Sequence, residues 1–239
     1  MDTREITEHP CRKKKETMKN LLLLLLLMLA PCVQAQEVPG GGSKTPDLSS
    51  ICIVKVSNSP LLRFTDIGTG TWISDDMVLS CWHNVRDEIN KPGFTLWIES
   101  IDGLRYDDVT VLVKDVQHDL VVFKVGGDTS SHGIALVTSD VTPPTHVSTV
   151  GYDPSVGTVV VNSGPVIPGR YLGSTKGGGK WLYCHQSKVV QGMSGGPTIN
   201  SQGEICGVNQ SSSIKISKDG TNNSVCPTWI HKLLDKVDM

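Results

Sequence analysis

Gln191-Gly192-Met193-Ser194-Gly195-Gly196-Pro197 sets one serine hydroxyl among three glycines and a proline. Glycine lets the backbone take conformations that a side chain forbids, and lets another chain come close. A serine on such a turn is exposed, with backbone N–H groups converging near its hydroxyl. That is the setting a nucleophile needs, because the oxyanion formed on attack must be met by fixed donors. The same residues also make a plain tight turn. A serine hydroxyl stays a weak nucleophile until a neighbouring base takes its proton. The chemical reading therefore asks for a base and an orienting acid upstream, and for a scaffold that brings them to Ser194.

The scaffold reads as all-β. The chain has 239 residues, 38% hydrophobic and 19% charged, enough for one globular unit or two small ones with a sizeable core. Gly 24 and Pro 13 imply many turns. Runs at 51–56 (ICIVKV), 67–74, 77–80, 94–99, 106–114 and 120–125 read as strands with turn signals between them. A polar connection at 126–144 divides the chain into two halves. A second strand series follows at 146–152, 158–162, 180–185, 197–200 and 204–210, then a hairpin at 213–225 turning at Asp219-Gly220. Short, regularly spaced strands suggest a barrel or a sandwich. At the end the period changes. Trp229, Ile230, Leu233, Leu234 and Val237 fall on one helical face, and Pro227 sits where a helix can start. A short amphipathic helix is expected there, packed on the second half.

Composition excludes some partners. Lys+Arg 22 against Asp+Glu 24 leaves a formal net charge of -2, so no basic excess argues for nucleic acid. Gly177-Gly178-Gly179-Lys180 fails as a phosphate loop, because Ser174 and Trp181 stand where that pattern needs glycine and Ser or Thr. Residues 1–35 read as a secretory signal peptide: Lys19, a short apolar run at 21–30, then small residues before a cut expected after Ala35. The run is too short to span a bilayer, so no stable membrane span is expected. Met18 is an alternative start, and 36–47 is a flexible leader. The mature protein is expected to be secreted or periplasmic. Cleavage leaves Cys52, Cys81, Cys184, Cys206 and Cys226, an odd number with at least one free thiol and no zinc-type spacing.

Three segments belong together: GTGTWIS at 68–74 continuing through LSCWHNV at 79–85, HDLVVFKV at 118–125, and the turn at Ser194. In this order they resemble the chymotrypsin-like serine peptidases. The short loops are more similar to HtrA-type and other secreted trypsin-like peptidases than to digestive trypsins. The resemblance runs from about Leu48 to the end. It implies two antiparallel six-stranded β-barrels, at 48–137 and 138–239, with a short C-terminal α-helix and the active site between them. It also implies His83 as general base, Asp119 as its orienting acid and Ser194 as nucleophile, with Gly192 and Ser194 N–H groups as oxyanion donors. These roles suit the residue types, since the imidazole needs a carboxylate on its second nitrogen to hold the right tautomer. His118 reads as a loop residue beside the acid, and His132, His146, His185 and His231 read as structural.

Departures from the digestive enzymes are informative. They carry an acidic residue before the nucleophile, which pairs with a new N-terminus after precursor cleavage. Here that residue is Met193, so activity is expected on folding, without such cleavage. Cys81 and Val190 break their cysteine pattern, so no disulfide pairing carries over. The substrate pocket is expected from Lys188, Val189, Val190 and Gln191 together with Val208, Asn209, Gln210 and Ser211, the latter strand pairing with the substrate backbone. Lys188 matches the pocket base. Either its cation favours an acidic side chain, or it points to solvent and Val189 and Val190 favour a small or apolar one. Asn209 and Asn222 head Asn-x-Ser patterns.

The reading is therefore a secreted serine endopeptidase acting on protein or peptide substrates. It is expected to be a monomer, with no metal or organic cofactor implied. The alternative is a non-catalytic binding protein on the same fold. An esterase of the Gly-x-Ser-x-Gly type is disfavoured, because Gly-Gly-Pro after Ser194 does not start a helix easily.

Overall fold

The computed structural model describes residues 47–57, 66–129, 132–140, 142–172, 181–210 and 221–237. The export segment, residues 36–46 of the leader, the glycine run at 177–180, Ser211 and the hairpin turn at 219–220 lie outside these residues.

A 3-10 turn at Leu48–Ser50, capped by the Asp47 carboxylate, leads into the first sheet. Its strands are β1 (Ile51–Ser57), β2 (Asp66–Ser74), β3 (Met77–Cys81), β4 (Thr95–Ser100), β5 (Arg105–Tyr106), β6 (Val109–Asp115) and β7 (Leu120–Val125). They run antiparallel in the order β5-β4-β1-β2-β3-β7-β6. The sheet curls so that β4 touches β6, giving a half-barrel rather than a closed one. It counts seven strands because the run at 106–114 breaks at Asp107-Asp108. Aspartate is a poor strand former, and the Asp108 carbonyl instead accepts the Gly126 N–H at 2.8 Å. A single helical turn, α1 (His83–Arg86), follows β3.

The second unit is the expected closed barrel of six strands: β8 (His146–Asp153), β9 (Thr158–Leu172), β10 (Leu182–His185), β11 (Pro197–Ile199), β12 (Ile205–Gln210) and β13 (Asn222–Val225). β9 runs fifteen residues, far beyond the segment at 158–162 that the sequence suggests. Its first part pairs with β8 and its last part with β10, so one long strand serves two neighbours.

The core explains the arrangement. One apolar cluster fills the first sheet around Trp72, Ile98 and Phe123. A second crosses between the sheets: Leu79, Leu120 and Val122 pack with Leu182, Ile205, Val208 and Val225. The C-terminal helix α2 (Pro227–Leu234) drives Ile230 and Leu233 into that same cluster. It touches β6 and β7 as well as β12, so it seals the junction rather than lying on the second half alone. The connection between the halves is also more than a polar linker. Ala135 N–H donates to Trp72 O at 2.9 Å, and Ile205 N–H donates to Leu136 O at 2.7 Å.

Candidate active site

β3 ends at Cys81, and the chain turns at once into α1, which begins with His83. β7 lies beside β3, with Cys81 opposite Leu120, so Asp119 sits at the same end of the sheet. Asp119 takes a φ of 58°, a left-handed conformation that aspartate tolerates better than most side chains. From there its carboxylate grips His83 twice. Oδ1 accepts the His83 backbone N–H at 2.7 Å, and Oδ2 lies 2.5 Å from the ring Nδ1. The Asp119 carbonyl accepts Trp82 N–H at 3.1 Å. The pair is only partly buried, with side-chain exposures of 29% and 17%, so the imidazole stays reachable from solvent.

A third bond to this carboxylate was not foreseen. Gln210, the last residue of β12, donates from Nε2 to Asp119 Oδ2. No local pattern signals it, because the two residues come from different sheets. His118 lies in the turn beside the acid, as its sequence reading has it, but it also has partners that the reading does not foresee. It is buried, its Nδ1 is 2.6 Å from Asp115 Oδ2, and its ring stacks on Trp229 of α2 at 3.7 Å between centroids. The residue preceding the acid is thus an anchor to the C-terminal helix.

The serine turn comes from the barrel, between β10 and β11. Gly192 (φ 97°) and Gly195 (φ 88°) take left-handed conformations on either side of Met193-Ser194, and Ser194 is buried, at 4% exposure, rather than exposed as its turn suggests, because the turn packs onto the first sheet. A Cβ on Gly195 would lie 2.2 Å from Ser80 Oγ and 2.3 Å from the Thr69 carbonyl, so the turn is pressed directly onto the first sheet. Ser194 O accepts Thr69 N–H at 2.8 Å and Asn84 Nδ2–H at 3.0 Å, and Asn84 directly follows His83. Met193 is fully buried and packs against Gly151, with its sulfur accepting the Val190 N–H at 3.4 Å. The fold therefore brings the segments of His83, Asp119 and Ser194 to one junction between the sheets.

With that geometry in hand, the comparisons with known proteins are decisive for the family. The sequence model described as "Trypsin-like peptidase domain" matches residues 68–208, more than half of the chain. The chain belongs to that family. No curated protein matches the sequence. Among solved structures, this trypsin-like peptidase domain is similar to the Rv3671c protease from M. tuberculosis in its active form. The TM-score is 0.63 at 21% identity, covering 80% of this chain and 82% of that one. It is also similar to a serine endoprotease from Yersinia pestis, with TM-score 0.63 at 20% identity, covering 84% of this chain and 68% of that one. These likenesses establish a shared fold. No helix among the described residues is long and apolar enough to cross a membrane.

The residues expected to meet substrate separate into two groups in this trypsin-like domain. Lys188 and Gln191 are exposed and Val189 and Val190 are half-buried. Val208 and Asn209 are inside the barrel. Val208 pairs with Pro197 and Val225, while Asn209 gives its N–H to Gly196 O at 2.8 Å and takes Gly195 N–H at 2.9 Å. Their backbones are occupied, which leaves Gln210 as the described residue of that strand nearest the site. Asn209 is also closed to glycosylation in the folded protein, since its Nδ2 donates to Val150 O at 2.8 Å and its side chain is buried.

A thiol lies beside the pair as well. Cys81 Sγ, His83 and the Asp119 carboxylate have ligand atoms within 4.8 Å of one another. Burial, and then the Asp119 charge, push the Cys81 thiol well above its ordinary range. A metal needs the thiolate, and would have to break the His83–Asp119 bond, so this trio is better accounted for by its hydrogen bonds. The five described cysteines are buried and form no disulfide among the described residues.

Proposed function

We propose that the protein is a serine endopeptidase in which Ser194 attacks the peptide carbonyl, His83 is the general base and Asp119 orients it. The observation that carries this is the two-point grip of Asp119 on His83, at 2.7 and 2.5 Å, beside the glycine-braced turn of Ser194. In this reading His83 Nε2 takes the proton from Ser194 Oγ as the oxygen bonds to the carbonyl carbon. Asp119 holds the Nδ1–H and stabilises the imidazolium that results. The N–H groups of Gly192 and Ser194 receive the oxyanion, each such donor being worth about 2.7–4 kcal/mol in the transition state. His83 then gives the proton to the departing amine, leaving an acyl-enzyme. Water, deprotonated by the same imidazole, releases the acid and restores the serine.

Met193 supports activity on folding. A buried thioether packed on Gly151 fills the place of an ion-pairing acid. The apolar run at 21–30 supports export, and the lobes 48–137 and 138–239 go with the same reading. Substrates are proteins or peptides, with the primary pocket near 188–191.

A fluorophosphonate probe read by intact mass tests the proposal on the purified protein and its Ser194→Ala variant. One adduct on the first and none on the second is expected. A folded protein that takes no adduct at neutral pH overturns it in favour of a non-catalytic binding protein.

A further inference from the structure

One residue of the first sheet holds the nucleophile turn from across the junction. Thr69 of β2 is fully buried, and every polar group it has is used. Its backbone N–H donates to Ser194 O at 2.8 Å. Its carbonyl accepts the Ser80 hydroxyl at 2.7 Å. Its own hydroxyl donates to Gly192 O at 2.7 Å and accepts the Tyr152 N–H at 2.9 Å. Tyr152 belongs to β8, so a single oxygen ties β2, the barrel and the turn together. A hydroxyl can donate and accept at once, and a valine of the same shape can do neither.

Gly192 needs such a hold. It has no side chain to restrict its rotation and sits at φ 97°. Its carbonyl is fixed by Thr69, and its N–H donates to no acceptor among the described residues. We propose that Thr69 is a positioning residue: by pinning the Gly192 carbonyl, its hydroxyl keeps the Gly192 N–H where the oxyanion of the reaction forms. This rests on the serine endopeptidase reading. It adds a residue outside the base, acid and nucleophile, on a strand that none of them occupies. The Thr69 hydroxyl touches no reacting atom and acts through Gly192.

The test compares Thr69→Val and Thr69→Ser with the wild type in fluorophosphonate inactivation, resolved into the saturating rate constant and the half-saturating probe concentration. Misplacing an oxyanion donor slows the chemical step without weakening encounter. The valine variant should lose about tenfold to a hundredfold in the rate constant, with half-saturation within about twofold of wild type. Thr69→Ser keeps the hydroxyl and should stay within about threefold of wild type in both. Thermal melts accompany each variant. If the valine variant does not fold, Thr69→Ala takes its place, and the serine-to-alanine ratio isolates the hydroxyl. A valine variant as fast as wild type overturns the proposal. So does a change confined to half-saturation, which would mean groove shape. A serine variant as slow as valine or alanine also overturns it, because the methyl would then be what matters. A wild type that takes no adduct sinks the endopeptidase reading, and this inference with it.

Discussion

Gln210 Nε2 and His83 Nδ1 meet the same oxygen of Asp119, Oδ2, one from the barrel and the other from the half-barrel sheet. The carboxylate that orients the imidazole is therefore itself oriented from the opposite side of the junction. Gln210→Leu removes that donor while keeping the size. A hydrogen bond to a charged group contributes about 1.5–3 kcal/mol to stability, so Tm should fall by roughly 3–12 °C, and the less firmly held carboxylate should lower kcat/KM by roughly tenfold. Gln210→Glu sets a second carboxylate beside the first. The added negative charge favours the imidazolium, so the acid limb of the pH–rate profile should move to higher pH. A profile unchanged in both variants would show that the contact does not matter to the chemistry.

Met193 gives a second prediction. It is fully buried and packs against Gly151. Met193→Asp places an uncompensated charge there, and should cost about 3 kcal/mol or more in urea unfolding. Met193→Leu keeps the volume and should cost less than about 1.5 kcal/mol. If the aspartate variant is as stable as wild type, a cation reaches this residue and the comparison with ion-pair-activated enzymes must be reopened.

His185 makes stability depend on pH. It is buried between Ser187 O, at 3.1 Å, and Ser224 Oγ, at 2.9 Å, and burial pulls its pKa down to about 4. The unfolded chain takes a proton near pH 6.5, which the folded one refuses until about pH 4. Its contribution is complete above pH 6.5 and is lost as pH falls from there to about 4. The shift corresponds to about 3 kcal/mol. His185→Gln should show a shallower fall in unfolding free energy between pH 7 and pH 4.5 than wild type. Parallel falls would mean that the ring is not held neutral.

The thiols should be silent. Cys206 and Cys226 are pushed up to about 12 by burial and Cys52 higher still, and burial also raises Cys81 well above its ordinary range. A thiol reagent at neutral pH should leave Cys52, Cys81, Cys184, Cys206 and Cys226 unmodified in the native protein and modify all of them in guanidinium, by peptide mass mapping. Rapid native labelling of any one would contradict the packing described.

The parts of this fold that are legible in the sequence are those whose signal is local. The run Ile51–Ser57, the strand after Asp119 and the apolar stripe of α2 each announce themselves by period. The Ser194 turn does so by its glycines. β9 is different. Gly164, Pro165, Pro168 and Gly169 read as breakers, yet the strand continues through them because β8 and β10 supply partners in succession. The missed roles share one cause. Gln210, His118 and Thr69 act on residues far away in the chain, and a side chain's distant partner leaves no period or spacing to read. Lys188 is a different case: its pattern left a pocket base and a solvent-facing lysine both open, and the residue is exposed.

The brace from Thr69 to Gly192 and Ser194 means that the serine turn is shaped by a sheet to which it does not belong. Neither half of the molecule holds His83, Asp119 and Ser194 together. As the halves part, the Thr69 hydroxyl loses the Gly192 carbonyl and the Asp119 carboxylate loses its glutamine in the same event, while His83 and Asp119 stay together on the first sheet. For the endopeptidase proposed above this is a fail-safe: a damaged or heated copy would go quiet before it could digest its neighbours.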